Sequence, residues 1–499
     1  MRAPQAGPAS AGIGWQSLLP SWPLILGLFA FGRLLAERMA LLNDPDTYLH
    51  IAAGRWILAH GALPVHDPFS HSVPGAAWLP SEWLAQIVFA ATYAQFGWGG
   101  VILVAAASVA LAVAVLTHFV LRQFAPLPGL IVAAAAAALL LPHALARPHV
   151  LALPLLALWA GLLLAARDAG RPPPFAALPV IVLWANLHAS FMFGLALAAF
   201  LAGEALLQPG SGRSRRAEAW RWGAFLAAAL VAALLTPSGL AGLLQPIRLI
   251  GMPALQSTFT EWRSPDFQTS PVLELWIVGL LFVGFAAGVR LPLTRLVLLL
   301  GLVHMTLQHV RHADLLALVG PLALAAPLGR SLTSLTATAP ESPLMRWAAR
   351  LARPSRLPAT AVALLIAAAL ALPTALRPIV RGDDPVTPAS ALTAATRLGL
   401  AGPVFNSQTF GGYLIFRGLP SFIDGRIEMY GNDFLARDYR AERGDAALLN
   451  DLLARYGIAW TLLLPQSGAV SAIDHLPGWE RVYADQRAVI HRRIAAAPR

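Results

Sequence analysis

Eleven predominantly apolar stretches run through the chain, near 21–42, 98–120, 128–146, 149–166, 174–187, 190–207, 222–236, 272–289, 296–309, 313–329 and 358–378. About 20 apolar residues in a helix match the hydrocarbon thickness of a bilayer, so this pattern predicts about 11 transmembrane helices. Several runs are shorter, notably the pair meeting at Trp184–Ser190 and the pair meeting at His309–His312, and short helices predict turns recessed below the membrane surface. The first run carries Arg33, Glu37 and Arg38 and lacks a small-residue cleavage site, so it reads as a retained anchor behind a polar, proline-containing N-terminus. Arg33 and Glu37 are spaced to pair on one helix face.

Two polar regions interrupt this pattern. Within the first loop, 43–97, the segments TYLHIAAGRWILAHG and SEWLAQIVFAATYAQFG have helical periodicity and are expected to lie flat on the membrane, with turn-rich sequence between them. After the last apolar run, from about 379 onward, charge density becomes ordinary. There PVFNS and PSFIDGR read as buried strands, ALLNDLLARYG as an amphipathic helix, IAWTLLL as a strand and RVYADQRAVIHRR as a final strand or hairpin. The expected architecture is mainly α: a polytopic membrane domain over 1–378 and a small α/β domain over 379–499.

Composition agrees, at 57% hydrophobic and 12% charged residues with a mean hydropathy of +0.63, values outside the range of ordinary soluble domains. The absence of cysteine excludes disulfides and thiol-ligated metal sites. The net charge of +11 comes entirely from arginine. It does not point to nucleic acid, because the arginines crowd alternate short loops: Arg122; Arg167 and Arg171; Arg213, Arg215, Arg216 and Arg221; Arg290 and Arg295; Arg330, Arg346, Arg350, Arg353 and Arg356. The positive-inside rule places those loops in the cytoplasm and the 43–97 loop and C-terminal domain outside.

On that topology ten of the thirteen histidines, His50, His60, His66, His71, His143, His149, His188, His304, His309 and His312, fall at outer ends, together with several carboxylates and arginines. Asp44-Pro-Asp46 ends the first apolar run. Such a pair caps the helix that follows, abstracts a proton, or shares Mg²⁺ or Mn²⁺ with substrate oxygens. Arg147 and His149 in ARPH, and Arg311 and His312 in QHVRH, offer planar donors for phosphate, with interfacial snorkelling as the plain structural alternative. Asn186 and His188 in WANLH are polar groups at membrane depth. Glu261, in EWRSPDF, adds a carboxylate beside aromatics, while His50 and Glu82 flank the first loop's helical pieces.

Taken together, DPDTYLH, GRWILAHGALPVHDPFS, SEWLAQ, ARPH, WANLH, EWRSPDF, RHADLLAL and FNSQTFGGYLIFRGLPSFIDGR resemble a bacterial branch of the GT-C superfamily of membrane glycosyltransferases. The resemblance runs through nearly the whole chain. It implies transfer of a sugar from a polyprenyl-phosphate-linked donor to a glycan, lipid or protein acceptor at the outer face of a bacterial inner membrane, with the C-terminal domain periplasmic. The superfamily's acidic residue in the first outer loop would fall on Asp44, with Asp46 as partner in holding a divalent cation. Arg147, His149, Asn186, His188, Arg311 and His312 are then expected around donor and phosphate, and His50, Glu82 and Glu261 nearby. A lipid-linked glycan flippase or polymerase, and a non-catalytic scaffold of the same fold, are the alternatives.

Overall fold

The computed structural model describes residues 18–208, 214–250, 252, 260–268, 271–286, 288–336 and 342–494. The polar first 17 residues and Arg213 lie outside that set. Within it there are nineteen α-helices and four strands. The apolar bundle contains α1 (Trp22–Ala36), α3 (Trp83–Val120), α4 (Pro126–Leu140), α5 (Pro148–Asp168), α6 (Leu178–Leu187), α7 (Phe191–Leu207) and α8 (Arg215–Ala233), with α2 (Asp46–His60) in the first loop. After α9 (Gly239–Ile250) follow α10 (Pro271–Ala286), α11 (Leu293–Gln308), α12 (Ala313–Thr336), α13 (Pro343–Leu351) and α14 (Leu357–Leu376). Each of the eleven apolar runs coincides with a helix. Five of these helices, α3, α4, α5, α12 and α14, are by length and composition able to cross a membrane, and α1, α6, α7, α10 and α11 are apolar but shorter. This is the architecture of a multi-pass membrane protein.

α3 is the hub, packed along α1, α2 and α5, and α12 runs against α4, α5 and α11. Two details differ from the pattern-based expectation. α1 stops at Ala36, and a 3₁₀ turn over Ala40–Leu42 carries the chain to Asn43, because the charged Arg33–Glu37–Arg38 stretch does not continue an apolar face. α2 does not lie on the membrane: Thr47 through Gly54 are all buried, enclosed by α3 and by α16 (Gln408–Phe416) of the C-terminal domain. The second helical piece of the first loop is continuous with the span that follows it, bent at Gly97, whose φ of 58° and ψ of −147° suit only glycine.

The C-terminal domain holds α15 (Ala389–Arg397), α16, α17 (Ile427–Glu442), α18 (Ala446–Arg455), α19 (Gly468–Asp474) and strands β1 (Val404–Asn406), β2 (Trp460–Leu462), β3 (Trp479–Ala484) and β4 (Val489–Arg493). The sheet order is β1-β2-β4-β3, with β1 parallel to β2 and the rest antiparallel. PSFIDGR is not a strand. It is a bend held by side chains, in which Asn406 accepts the Phe422 N–H (2.8 Å) and donates to the Ile423 carbonyl (2.9 Å), while Ser421 makes an isolated bridge to Ser70 of the first loop. One apolar core runs from the bundle into α16, β2 and β4, and a second fills the domain between sheet and helices.

Candidate active site

The Asp44-Pro45-Asp46 motif stands where α1's exit turn meets α2. Asp44 Oδ1 accepts the Asp46 N–H at 2.8 Å, which ties the motif to the first residue of α2, while the N-cap position itself is Pro45 and carries no side-chain cap. The other Asp44 oxygen is engaged differently: Arg147 Nη1 lies 3.1 Å from Asp44 Oδ2, and the same Nη1 donates to Glu261 Oε1. Pro148 at the first helical position fixes the start of α5 and leaves Arg147 extended at the N-cap, aimed back at the motif. The backbone locks this approach, since Ala146 N–H donates to the Leu41 carbonyl (2.7 Å) and Thr47 Oγ1 donates to the Ala146 carbonyl (2.9 Å).

Burial pushes the Asp44 carboxyl up from the usual aspartate range, against the pull of Arg147. It pushes Asp46 further, with the Asp44 charge adding to the effect. Burial would also raise Glu261, but Arg147 outweighs it and holds that carboxyl below its ordinary value. Arg147 itself is raised by its two carboxylate partners despite being buried, and stays a cation.

Beside this triad Glu82, at the N-cap of α3, sits between two imidazoles: His188 Nε2 at 3.4 Å and His50 Nε2 at 3.8 Å. Burial, then the charge of Glu428, push Glu82 up to about 8, so it holds its proton at neutral pH. Burial and then Arg147 push His50 down to about 3, leaving it neutral. The Ser190 N–H donates to His188 Nδ1 (3.2 Å), which leaves the ring's proton on Nε2, facing Glu82. By the same logic Arg147 Nε donates to His149 Nδ1 (3.2 Å), and His149 Nε2 faces Asp314 Oδ2 at 3.9 Å. The His149 and His188 rings stand 6.4 Å apart.

Arg311, on the 3₁₀ turn between α11 and α12, stacks over the Trp262 ring at 4.6 Å. Its charge reaches both Glu261 and Glu82, and no carboxylate of the described residues forms an ion pair with it. The turn is tied to the Glu261 segment by Val310 N–H to the Arg263 carbonyl (3.1 Å) and by His309 Nδ1 to the Trp262 carbonyl (2.6 Å). His312 is turned inward to the Met305 carbonyl (3.1 Å). Asn186 is fully used in structure: it accepts from Trp83 Nε1 (2.9 Å) and donates to the carbonyls of Val182 (2.8 Å) and Leu235 (3.0 Å). Next to it, an apolar groove of about 880 Å³ runs between the start of α3, α6 and α8, past Trp83, Leu178, Val182, Leu183, Val231 and Leu235.

The C-terminal domain covers the motif, a contribution that sequence reasoning missed. A Cβ on Gly425 would fall 2.0 Å from Asp46 Oδ1, and one on Gly412 would fall 2.4 Å from the Pro45 carbonyl oxygen. Arg426 bonds Asp424 through Nε and Nη2 (2.8 and 2.7 Å) and reaches Asp67 of the first loop at 2.5 Å, while its guanidinium stacks on Trp78. Trp78 Nε1 donates to Glu428 at 3.3 Å. The only sequence signal for this arrangement was a charged bend, IDGR, where a strand was expected.

Among the described residues no group of three or more histidine or carboxylate side chains is arranged to hold a metal. Both Asp44 oxygens are engaged, and the cation between Asp44 and Glu261 is the Arg147 guanidinium.

No protein-family model matches the sequence, and no curated protein does. Solved structures are similar in fold. The oligosaccharyltransferase of Archaeoglobus fulgidus in its apo form matches over 88% of this chain and 69% of its own, at 13% identity and a TM-score of 0.50. The archaeal oligosaccharyltransferase AglB of Archaeoglobus fulgidus, with an inhibitory peptide and a dolichol-phosphate, matches over the same shares at 12% identity and 0.51. ArnT from Cupriavidus metallidurans in the apo state matches over 98% of this chain and 100% of its own, at 16% identity and 0.50. At 12–16% identity the likeness is one of fold, and it extends over most of this chain.

Proposed function

We propose that this chain is a membrane glycosyltransferase that moves a sugar from a polyprenyl-phosphate-linked donor to an acceptor hydroxyl or amide at the outer face of the membrane. The observation that carries this reading is the buried cluster at one end of the bundle, where Asp44 and Glu261 share Arg147 while Arg311, stacked on Trp262, has no carboxylate ion-pair partner among the described residues. Chemistry at a glycosyl phosphate needs an acid–base group on the incoming nucleophile and fixed positive charge at the departing phosphate. In this reading Asp44 takes the proton as the acceptor attacks the anomeric carbon and the bond from that carbon to the phosphate oxygen breaks. Arg311 is the cation for the departing phosphate. Arg147, already neutralised by two carboxylates, positions Asp44 and Glu261 instead, and no step is assigned to a metal.

The apolar groove ending at Trp83 and Asn186 supports a prenyl carrier, because it delivers a hydrocarbon chain from the bundle's side to the Glu82 end of the cluster. One protein of similar fold holds a dolichol-phosphate, and the same class of donor is proposed here. The test uses the purified full chain in detergent with a radiolabelled polyprenyl-phosphate sugar. Release or transfer of label by the wild type, lost in Asp44→Asn, is the expected result. Donor that is moved across vesicles but never cleaved would favour a flippase and overturn the transferase reading.

A further inference from the structure

At the end of the bundle remote from Asp44 lies a second groove, of about 920 Å³, between the start of α4, α10, the later turns of α12, and α13. α4 and α12 each direct their other end at the catalytic cluster, toward Arg147 and Arg311, so this groove belongs to the opposite membrane surface. Its walls are hydrocarbon, including Ile131, Leu275, Val283 and Leu328, and its rim carries Arg350 and Arg353.

The sequence of α13, PLMRWAARL, builds that rim. Ser342 caps it by accepting the Met345 N–H (3.2 Å), and the arginines at 346, 350 and 353 recur at helical spacing along one edge. Leu344 and Trp347 stand exposed, as on a helix that lies in a membrane interface. The helix is fastened to the bundle: Trp22 Nε1 donates to the Ala348 carbonyl (2.9 Å), and the Trp22 and Trp347 rings meet edge to face at 5.1 Å. Arg350 and Arg353 are exposed, and no carboxylate of the described residues forms an ion pair with them.

We propose that this groove binds an anionic membrane phospholipid, with its phosphate held by Arg350 and Arg353 and one acyl chain laid along the apolar trough. Charge selects the head group and the trough selects the chain. A soluble phosphate would leave the hydrocarbon walls wet, and a zwitterionic lipid would leave the arginines without net counter-charge. A second copy docked face to face would bring two basic rims together, which like-charge repulsion opposes.

The test uses the full chain in neutral detergent, with phosphatidylglycerol and phosphatidylcholine of identical acyl chains, and inorganic phosphate as the soluble probe. Native mass spectrometry and melting curves should show phosphatidylglycerol retained and stabilising in a saturable way, and phosphatidylcholine at least about tenfold weaker. Basic residues near an anionic lipid surface contribute roughly five-fold each, so R350Q/R353Q should weaken retention about 25-fold and R350K/R353K should keep it. Gly279→Leu, which adds a side chain to the trough where a Cβ meets nothing within 4 Å, should weaken retention with the charges intact. Equal retention of both lipids, indifference to R350Q/R353Q, or displacement by inorganic phosphate would overturn the proposal. So would complete disulfide cross-linking of two copies through Ala349→Cys in native membranes, a clean probe because the chain has no other cysteine.

Discussion

At the scale of single residues, Asp44 holds the Asp46 N–H and, in the proposed reaction, takes the acceptor's proton, two roles that an amide separates. Asn at this position keeps an oxygen for the Asp46 N–H but neither takes a proton as a carboxylate does nor pairs with Arg147 as an anion. Loss of a general base costs about 10²–10⁴ in rate, whereas the stability cost is limited because Arg147 keeps Glu261. Asp44→Asn should therefore lose at least a hundredfold in sugar transfer with only a modest fall in melting temperature, both read on one detergent preparation; an unchanged rate would remove Asp44 from the chemistry. Glu82 gives a second, pH-dependent signature. Its folded-state value of about 8 lies above the ordinary glutamate value, so the stability linked to its proton is fully present below about 4.5 and is lost as pH rises toward and through 8. Removing that ionisation should flatten the profile, so Glu82→Gln is expected to gain melting temperature relative to wild type at pH 9 and to differ little at pH 5. A difference that does not change with pH would mean that Glu82 is ionised throughout.

At the scale of elements, the long apolar runs were legible because a helix in hydrocarbon must be apolar for its whole length, and length alone then marks it. The amphipathic α18 and the β3–β4 hairpin followed from periodicity, and β1 and β2 from short apolar runs, each of whose residues is buried. α2 escaped the same logic. Its sequence has polar residues on several faces, and a polar stripe next to a membrane reads as interfacial, yet Thr47 and His50 are buried against partners far along the chain. PSFIDGR escaped because its order comes from Asn406 and the Asp424–Arg426–Asp67 pairing, contacts between residues up to 359 positions apart. The candidate residues Asp44, Arg147 and Glu261 were legible as charges at helix ends, but the bridging position of Arg147 was not, because only the fold decides which of several nearby carboxylates an arginine reaches. The IDGR bend bears on function through Gly425. Its backbone conformation is open to other residues, so Gly425→Ala tests only the contact with Asp46: the added methyl would stand 2.0 Å from Oδ1 and must displace that side chain. Overpacking of this kind costs about 1–3 kcal/mol, and transfer activity is expected to fall about tenfold or more while the domain stays folded by circular dichroism. Full activity would show that the position of Asp46 is irrelevant to turnover.

For the whole molecule, the contacts reduce the question of sidedness to one measurement. The C-terminal domain touches the Asp44 motif through Gly412 and Gly425 and the first loop through Arg426, so domain, loop and the Asp44 cluster lie together at one end of the bundle. The far end of the bundle carries Arg167 and Arg295 paired with Glu204 and Asp168, together with the arginines of α13, and positive charge in short loops marks the cytoplasmic side. A reporter fused after Arg499 should therefore show alkaline phosphatase activity and no green fluorescence, and a reporter placed after Arg353 should show the reverse. A donor presented on the outer leaflet could then reach Arg311 directly, and the anionic phospholipid proposed for the α13 groove would be drawn from the cytoplasmic leaflet. The opposite pair of readouts would place Asp44 and Arg311 inside the cell. It would leave their mutual geometry untouched, but would require the sugar donor and acceptor to be cytoplasmic and so would defeat the outer-face assignment.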